Sequence, residues 1–182
     1  MDQKPPLTGA AYERAKQLYT NYYGSSFSMG REDEYEEYAQ YHVPPALERQ
    51  WRAERIAYLT SKLSPDDRVT VIALSIWGAK EALPQLIQMA DGVDDHTRLM
   101  RANTLWELAT RPKPIYAPDI EPTVEQTAMA LALETWAAIA EASALNVVDK
   151  TWRPWDGNSP EDFLRNWARR NLEDARSGRL RL

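Results

Sequence analysis

Cysteine is absent from the 182-residue chain, which removes disulfides, thiolate metal sites and cysteine nucleophiles and permits a reducing, cytoplasmic setting. Histidine is nearly absent. His42 and His96 are the only two, and neither sits in the H-E-x-x-H spacing that places two imidazoles on one helix face around zinc. The seven glycines build no phosphate-cradling loop, and no serine lies in a G-x-S-x-G elbow. No long apolar run exists either. The most apolar window, "TVEQTAMALALETWAAIAEASAL", is interrupted by Glu125, Glu134 and Glu141 and reads as a buried helix rather than a membrane span. The opening "MDQKPPLTG" has neither the basic start nor the apolar stretch of a secretory signal. These absences leave no catalytic residue, metal ligand or cofactor to assign, so a non-enzymatic role is expected.

Excess positive charge is missing as well. The formal charge is −5, which argues against general nucleic-acid binding, because that needs a basic stripe to displace counterions from phosphates. The charge is uneven, however. Residues 32 to 37 carry Glu32, Asp33, Glu34, Glu36 and Glu37 without a base, whereas the C-terminal segment carries Arg165, Arg169, Arg170, Arg176, Arg179 and Arg181 against Glu173 and Asp174. At this length folding should bury roughly 70 % of the surface of the unfolded chain, enough for one domain without a staple.

What is present is helical periodicity separated by turn residues. The pattern predicts an all-α single domain of about eight helices, either stacked antiparallel pairs or an irregular bundle. Tyr12, Ala15, Leu18, Tyr19 and Tyr22 keep one face of a first helix that Gly24 is placed to end. "GSSFSMG" reads as a loop. A third helix should start at Pro45 and turn Leu47, Trp51, Tyr58 and Leu59 inward. "SPDD" at Ser64 and "SPED" at Ser159 each offer a serine cap, a proline at the first helical position and carboxylates at the positive end of the helix dipole. "RVTVIALSIWG" is expected to be a buried helix ending at Gly78. "RPKPIYAPDIEP", residues 111–122, reads as a proline-rich connection inside the domain.

Between Gly30 and Pro45 a short helix places Tyr35, Tyr38 and Tyr41 at every third position. That spacing drifts about 60° per step around a helix, so the rings cannot share one narrow core stripe. Two arrangements satisfy this. The rings pack beneath neighbouring helices while the carboxylates solvate the outside, or they form a surface for a basic partner, with Glu34, Tyr35, Glu37, Tyr38 and Tyr41 as the contact set. "NVVDKTWRPWDGNSP" poses the same choice for Trp152 and Trp155, which either lock that loop onto the helices or face a partner. "DDH" at residues 94–96 is read as a helix cap rather than a cation site. Trp51, Trp77, Trp106, Trp136 and Trp167 recur at intervals of 26, 29, 30 and 31, each with an apolar residue one turn earlier, the spacing of one aromatic anchor per layer of a helical stack.

Two resemblances follow from these segments. Residues 78–110 resemble a HEAT-type repeat: Ala82, Leu83, Pro84, Leu86 and Ile87 in a first helix, an acidic turn at 91–95, then Arg98, Ala102, Leu105 and Leu108 in a second. The helix, aromatic loop and acidic helix leading into a tryptophan helix in "AKQLYTNYYGSSFSMGREDEYEEYAQYHVPPALERQW" resemble bacterial immunity proteins. That resemblance implies a toxin inhibitor whose partner is a basic domain such as a nuclease, blocked by carboxylates standing where phosphate would. A non-inhibitory helical adaptor is the alternative expectation. A nucleic-acid enzyme using the arginine-rich tail is a third.

Overall fold

The structure, a computed structural model, describes residues 7–114, 116–149 and 151–179. Arg181 of the basic tail and the first six residues lie outside them. The described residues form nine α-helices and one short 3-10 helix, with no strand among them, so the all-α class holds. The chain divides into two compact units, the first ending at Tyr58 and the second beginning at Leu59, a boundary that falls inside one helix.

The first unit contains α1 (Gly9–Asn21), α2 (Ser26–Arg31), α3 (Tyr35–Gln40) and most of α4 (Pro45–Lys62). α1 buries Ala15, Leu18 and Tyr19, as the periodicity requires, and Gly24 follows its end with φ +68°. The segment expected to be a loop is instead α2. Ser25 accepts a hydrogen bond from the Ser28 amide as its cap, and Met29 anchors the turn by being buried. In α4 the buried stripe runs through Trp51, Arg52, Ile56 and Leu59. That stripe turns Tyr58 just past its edge, and the ring expected inward is 53 % exposed with Arg55 over its face at 5.4 Å.

The second unit is organised around α7 (Asp95–Thr110), which packs against α5 (Arg68–Ile76), α6 (Leu83–Gln88), α8 (Pro122–Glu141) and α9 (Pro160–Arg176). Neighbours on several sides explain why α7 buries residues around most of its circumference, from Leu99, Ala102 and Leu105 to Arg101 and Thr104. The buried Arg101 donates through its two terminal nitrogens to the Met89 and Ala90 carbonyls and to Asp91, so it closes the C-terminal end of α6, while its Nε has no partner among the described residues. The first helix of the expected pair is short: a 3-10 turn at Lys80–Ala82 precedes α6. The connection at 111–122 joins α7 to α8 within this unit, and Pro122 takes the first helical position.

Of the two serine-proline signals one is right. Ser159 caps α9 through the Asp162 amide, with Pro160 first in the helix. At the other, α5 starts at Arg68 and Asp67 is the cap, accepting from the Thr70 amide and hydroxyl. "SPDD" serves a different purpose there. Its Asp66 accepts the Val93 amide, and Gly92 approaches so closely that a Cβ would lie 2.4 Å from the Pro65 carbonyl oxygen. Glycine is required at that crossing for space. α5 ends where foreseen, with Gly78 at φ +58°. Among the five spaced tryptophans, Trp51, Trp77 and Trp136 are buried, whereas Trp106 and Trp167 are half-buried.

Candidate functional site

In the first unit, Arg14 on α1 decides what the acidic run can do. Its guanidinium donates to both carboxylate oxygens of Glu37, at 2.7 and 2.6 Å, and to Glu34 at 3.1 Å. One cation spread over two carboxylates is held firmly in its charged form, its pKa raised chiefly by the Glu37 bond. Reciprocally, the Arg14 and Tyr41 hydrogen bonds hold the Glu37 carboxyl at about 2. Tyr41 donates to Glu37 at 2.9 Å and is half-buried, and that bond raises its own pKa.

Tyr38 is 9 % exposed and donates to Glu48 at 2.6 Å, with its ring 6.4 Å from that of Tyr19. Tyr19 in turn lies against Trp51, whose indole donates to the Tyr12 hydroxyl at 3.0 Å. The middle of the tyrosine ridge therefore belongs to the core. Of the five ridge residues expected to contact a partner, Tyr35 alone is exposed, at 46 %. The structure brings Glu34, Glu37 and Tyr41 together, but around Arg14.

A surface of the same character remains, with different members. Phe27 on α2 is 75 % exposed and Tyr23 is exposed beside it in sequence. Glu32, Asp33 and Glu36 are exposed and join no ion pair among the described residues. Reading 24–30 as a loop concealed Phe27. An amphipathic check would have found it, because Ser25 caps a helix whose one buried residue is Met29, leaving Phe27 on the other side.

In the second unit the loop after α8 is stitched to the start of α7. Asp94 accepts from Thr97 as a helix cap and from the Val148 amide, while Asp95 accepts from the Asn146 amide at 2.7 Å. Trp152 locks that loop: its ring lies 4.2 Å from His96 and 5.5 Å from Phe163. Arginine can only donate, so the 2.7 Å contact from Arg68 to His96 makes Nδ1 an acceptor and the ring neutral. Burial first, then the neighbouring Arg68 charge, hold the His96 pKa down to about 4.

Trp155 behaves differently from Trp152. It is 89 % exposed and meets Phe163 only edge-on at 6.3 Å. Trp155, Phe163 and Trp167 line a cavity of about 360 Å³, and a second of about 350 Å³ lies between Trp106, Trp136 and Trp167, with Trp167 and Arg170 common to both. The basic tail is partly consumed by the fold. Arg165 donates to the Ala142 and Ser143 carbonyls and Arg169 to that of Ala140, which closes the C-terminal end of α8. Arg170 and Arg179 face Asp174.

Among the described residues no three histidine, aspartate or glutamate side chains converge as metal ligands would, and no helix is long and apolar enough to cross a membrane. The geometry on display is that of surfaces: exposed rings beside ionised carboxylates in the first unit, and an aromatic groove in the second. Comparison with protein-family models, with curated proteins and with solved structures finds no match to this chain.

Proposed function

We propose that the protein is a protein-binding module whose first unit meets a basic partner through Phe27, Tyr35 and the carboxylates of Glu32, Asp33 and Glu36. The observation that carries this reading is the exposure of Phe27 and Tyr35 amid carboxylates that join no ion pair among the described residues. Aromatic rings supply contact area at low entropic cost, and like-signed rim charges speed encounter with an oppositely charged surface. The finer form of the proposal is inhibition of a basic toxin domain such as a nuclease, the role that the likeness to immunity proteins implies.

The test is co-purification from the source cell, followed by the same capture with Phe27→Ala and with a Glu32→Lys, Asp33→Lys, Glu36→Lys variant. Those positions leave the Arg14 bridge untouched, so lost binding reports the surface and not the fold. A basic partner retained by wild type and lost by both variants, with association slowed at high salt, is the expected result. Capture that ignores both variants removes this face from consideration.

One observation favours a second reading, the helical adaptor. The exposed Trp155 over an aromatic groove, in a unit of packed helix pairs compatible with a HEAT-like stack, suits a peptide lying along α9. A partner lost with Trp155→Ala and kept by the Phe27 variant distinguishes it.

A further inference from the structure

The outer face of α5 is apolar where a solvated helix face is ordinarily polar. Val69, Ile72 and Ile76 stand at i, i+3 and i+7 on one stripe; Val69 is 76 % and Ile76 45 % exposed. The opposite face, with Thr70, Val71, Leu74 and Ser75, is already buried, and α5 packs against α7. A nine-residue helix thus carries two apolar faces, of which one is covered. An exposed stripe of this kind marks an interaction surface when something beside it selects the partner.

The selecting feature lies at the stripe's N-terminal end. Val69 forms one wall of a cavity of about 370 Å³ whose other apolar walls are Val93 and Val148 and whose edge carries Asp66, Asp67, Asp94 and Asp149. Among the described residues each carboxylate accepts hydrogen bonds from neutral donors: Asp66 the Val93 amide, Asp67 Thr70, Asp94 Thr97 and the Val148 amide, Asp149 Thr151 and the Trp152 amide. Such bonds fix the carboxylates in place without cancelling their charge. Among the described residues Arg68 is the one cation lining the cavity; its guanidinium contacts His96, and its charge also acts on Asp149. Four carboxylates against one guanidinium among the described lining residues, beside low-dielectric walls, focus an attractive field for a cation.

We propose that this face is a docking site for a basic amphipathic helix of a partner protein. The partner's apolar ridge lies along Val69, Ile72 and Ile76, a span of about 10 Å that two helical turns match. A lysine or arginine at the end of that ridge enters the cavity, its methylenes along Val93 and Val148 and its charged head at Asp66 and Asp149. The carboxylates are what choose this occupant, since they disfavour an anionic lipid surface or an acidic helix. The inference is independent of the acidic face of the first unit.

The probe is a displayed library of short helical peptides with leucines fixed at i, i+3 and i+7 and flanking positions randomised among Lys, Arg, Glu and Gln. Selection on the intact protein is expected to enrich Lys or Arg at one end. Affinity of the best peptide should fall about tenfold or more with Val69→Glu and again with Asp66→Asn combined with Asp149→Asn, which keep the hydrogen-bond acceptors and remove the charge. Urea melts of these variants, and binding by Phe27→Ala as a control, separate lost docking from lost folding and from failure of the first-unit reading. Enrichment without charge preference, or affinity unchanged in both variants, overturns the proposal. A concentration-dependent dimer of the protein alone, abolished by Val69→Glu, assigns the stripe to a second copy and overturns it equally.

Discussion

The first unit uses tyrosines and carboxylates to close its own structure, whereas the second uses tryptophans and aliphatic helix faces and ties several loops and helix ends with buried polar groups. In the first, Trp51 donates to Tyr12, Tyr38 to Glu48 and Tyr41 to Glu37, and Arg14 draws Glu34 and Glu37 together. In the second, Trp136 is sealed against Trp106, and Asp94, Asp95, Arg101 and Arg165 each terminate or anchor a backbone segment. The contrast shows that a run of like charge in a sequence is no measure of a charged surface. One arginine distant in sequence suffices to pair with two of the five carboxylates of such a run, while the exposed remainder keeps its sign.

The largest expected effect tests the tryptophan side of this contrast. Trp136 is 1 % exposed, its ring lies 5.4 Å from Trp106, and its indole donates to Asn103 at 2.8 Å. Trp136→Ala should cost about 3–5 kcal/mol in urea denaturation, the range for emptying a buried aromatic site. A cost below about 1 kcal/mol would mean that the second unit does not depend on that ring.

Acid separates the two units next. His96 titrates near 4 when folded and near 6.5 otherwise, so between those values the unfolded chain binds the proton first. Its contribution is therefore complete above pH 6.5, declines as pH falls to about 4, and is then exhausted, a loss of about 3 kcal/mol. Glu37 works in a lower window: held at about 2 against an ordinary 4.5, it stabilises fully above pH 4.5 and loses that contribution as pH falls through 2. Denaturation midpoints from pH 7 to 2 should thus fall in two stages. His96→Gln is expected to flatten the upper stage alone, and persistence of that stage in the variant would break the assignment.

A smaller effect divides the tyrosine ridge itself. Tyr38→Phe removes the hydrogen bond to Glu48 and should cost about 1–2 kcal/mol, whereas Tyr35→Phe should stay within about 0.5 kcal/mol. Equal costs would restore the ridge as a single surface.

Much of this was legible from the sequence because it depends on local rules. The 3.6-residue periodicity marked the buried face of α1, Ser159 and Pro160 marked the start of α9, Gly78 the end of α5, and Asp94 the cap of α7. Where tertiary partners compete, local rules failed. Ser64 lost the cap to Asp67 because "SPDD" is held against Gly92 and Val93, a crossing that residue spacing does not encode. The acidic run looked free because Arg14 lies 20 and 23 residues from its carboxylates. Trp152 and Trp155 are three apart in one loop and met opposite fates, set by His96 and Phe163 from other segments.

The smallest expected effect on stability bears most on function. Phe27 and Trp155 are the most exposed large rings, one in each unit, and neither fills a core. Phe27→Ser and Trp155→Ser should each leave the denaturation midpoint within about 0.5 kcal/mol of wild type, because little apolar area returns to water on unfolding. A native chain gains nothing for its own fold by holding such rings in solvent, so neutrality in stability with loss in binding would place their purpose outside the chain. A loss above about 1 kcal/mol for Trp155→Ser would show instead that its edge contact with Phe163 supports the loop, and only the first unit would then keep an aromatic surface for a partner.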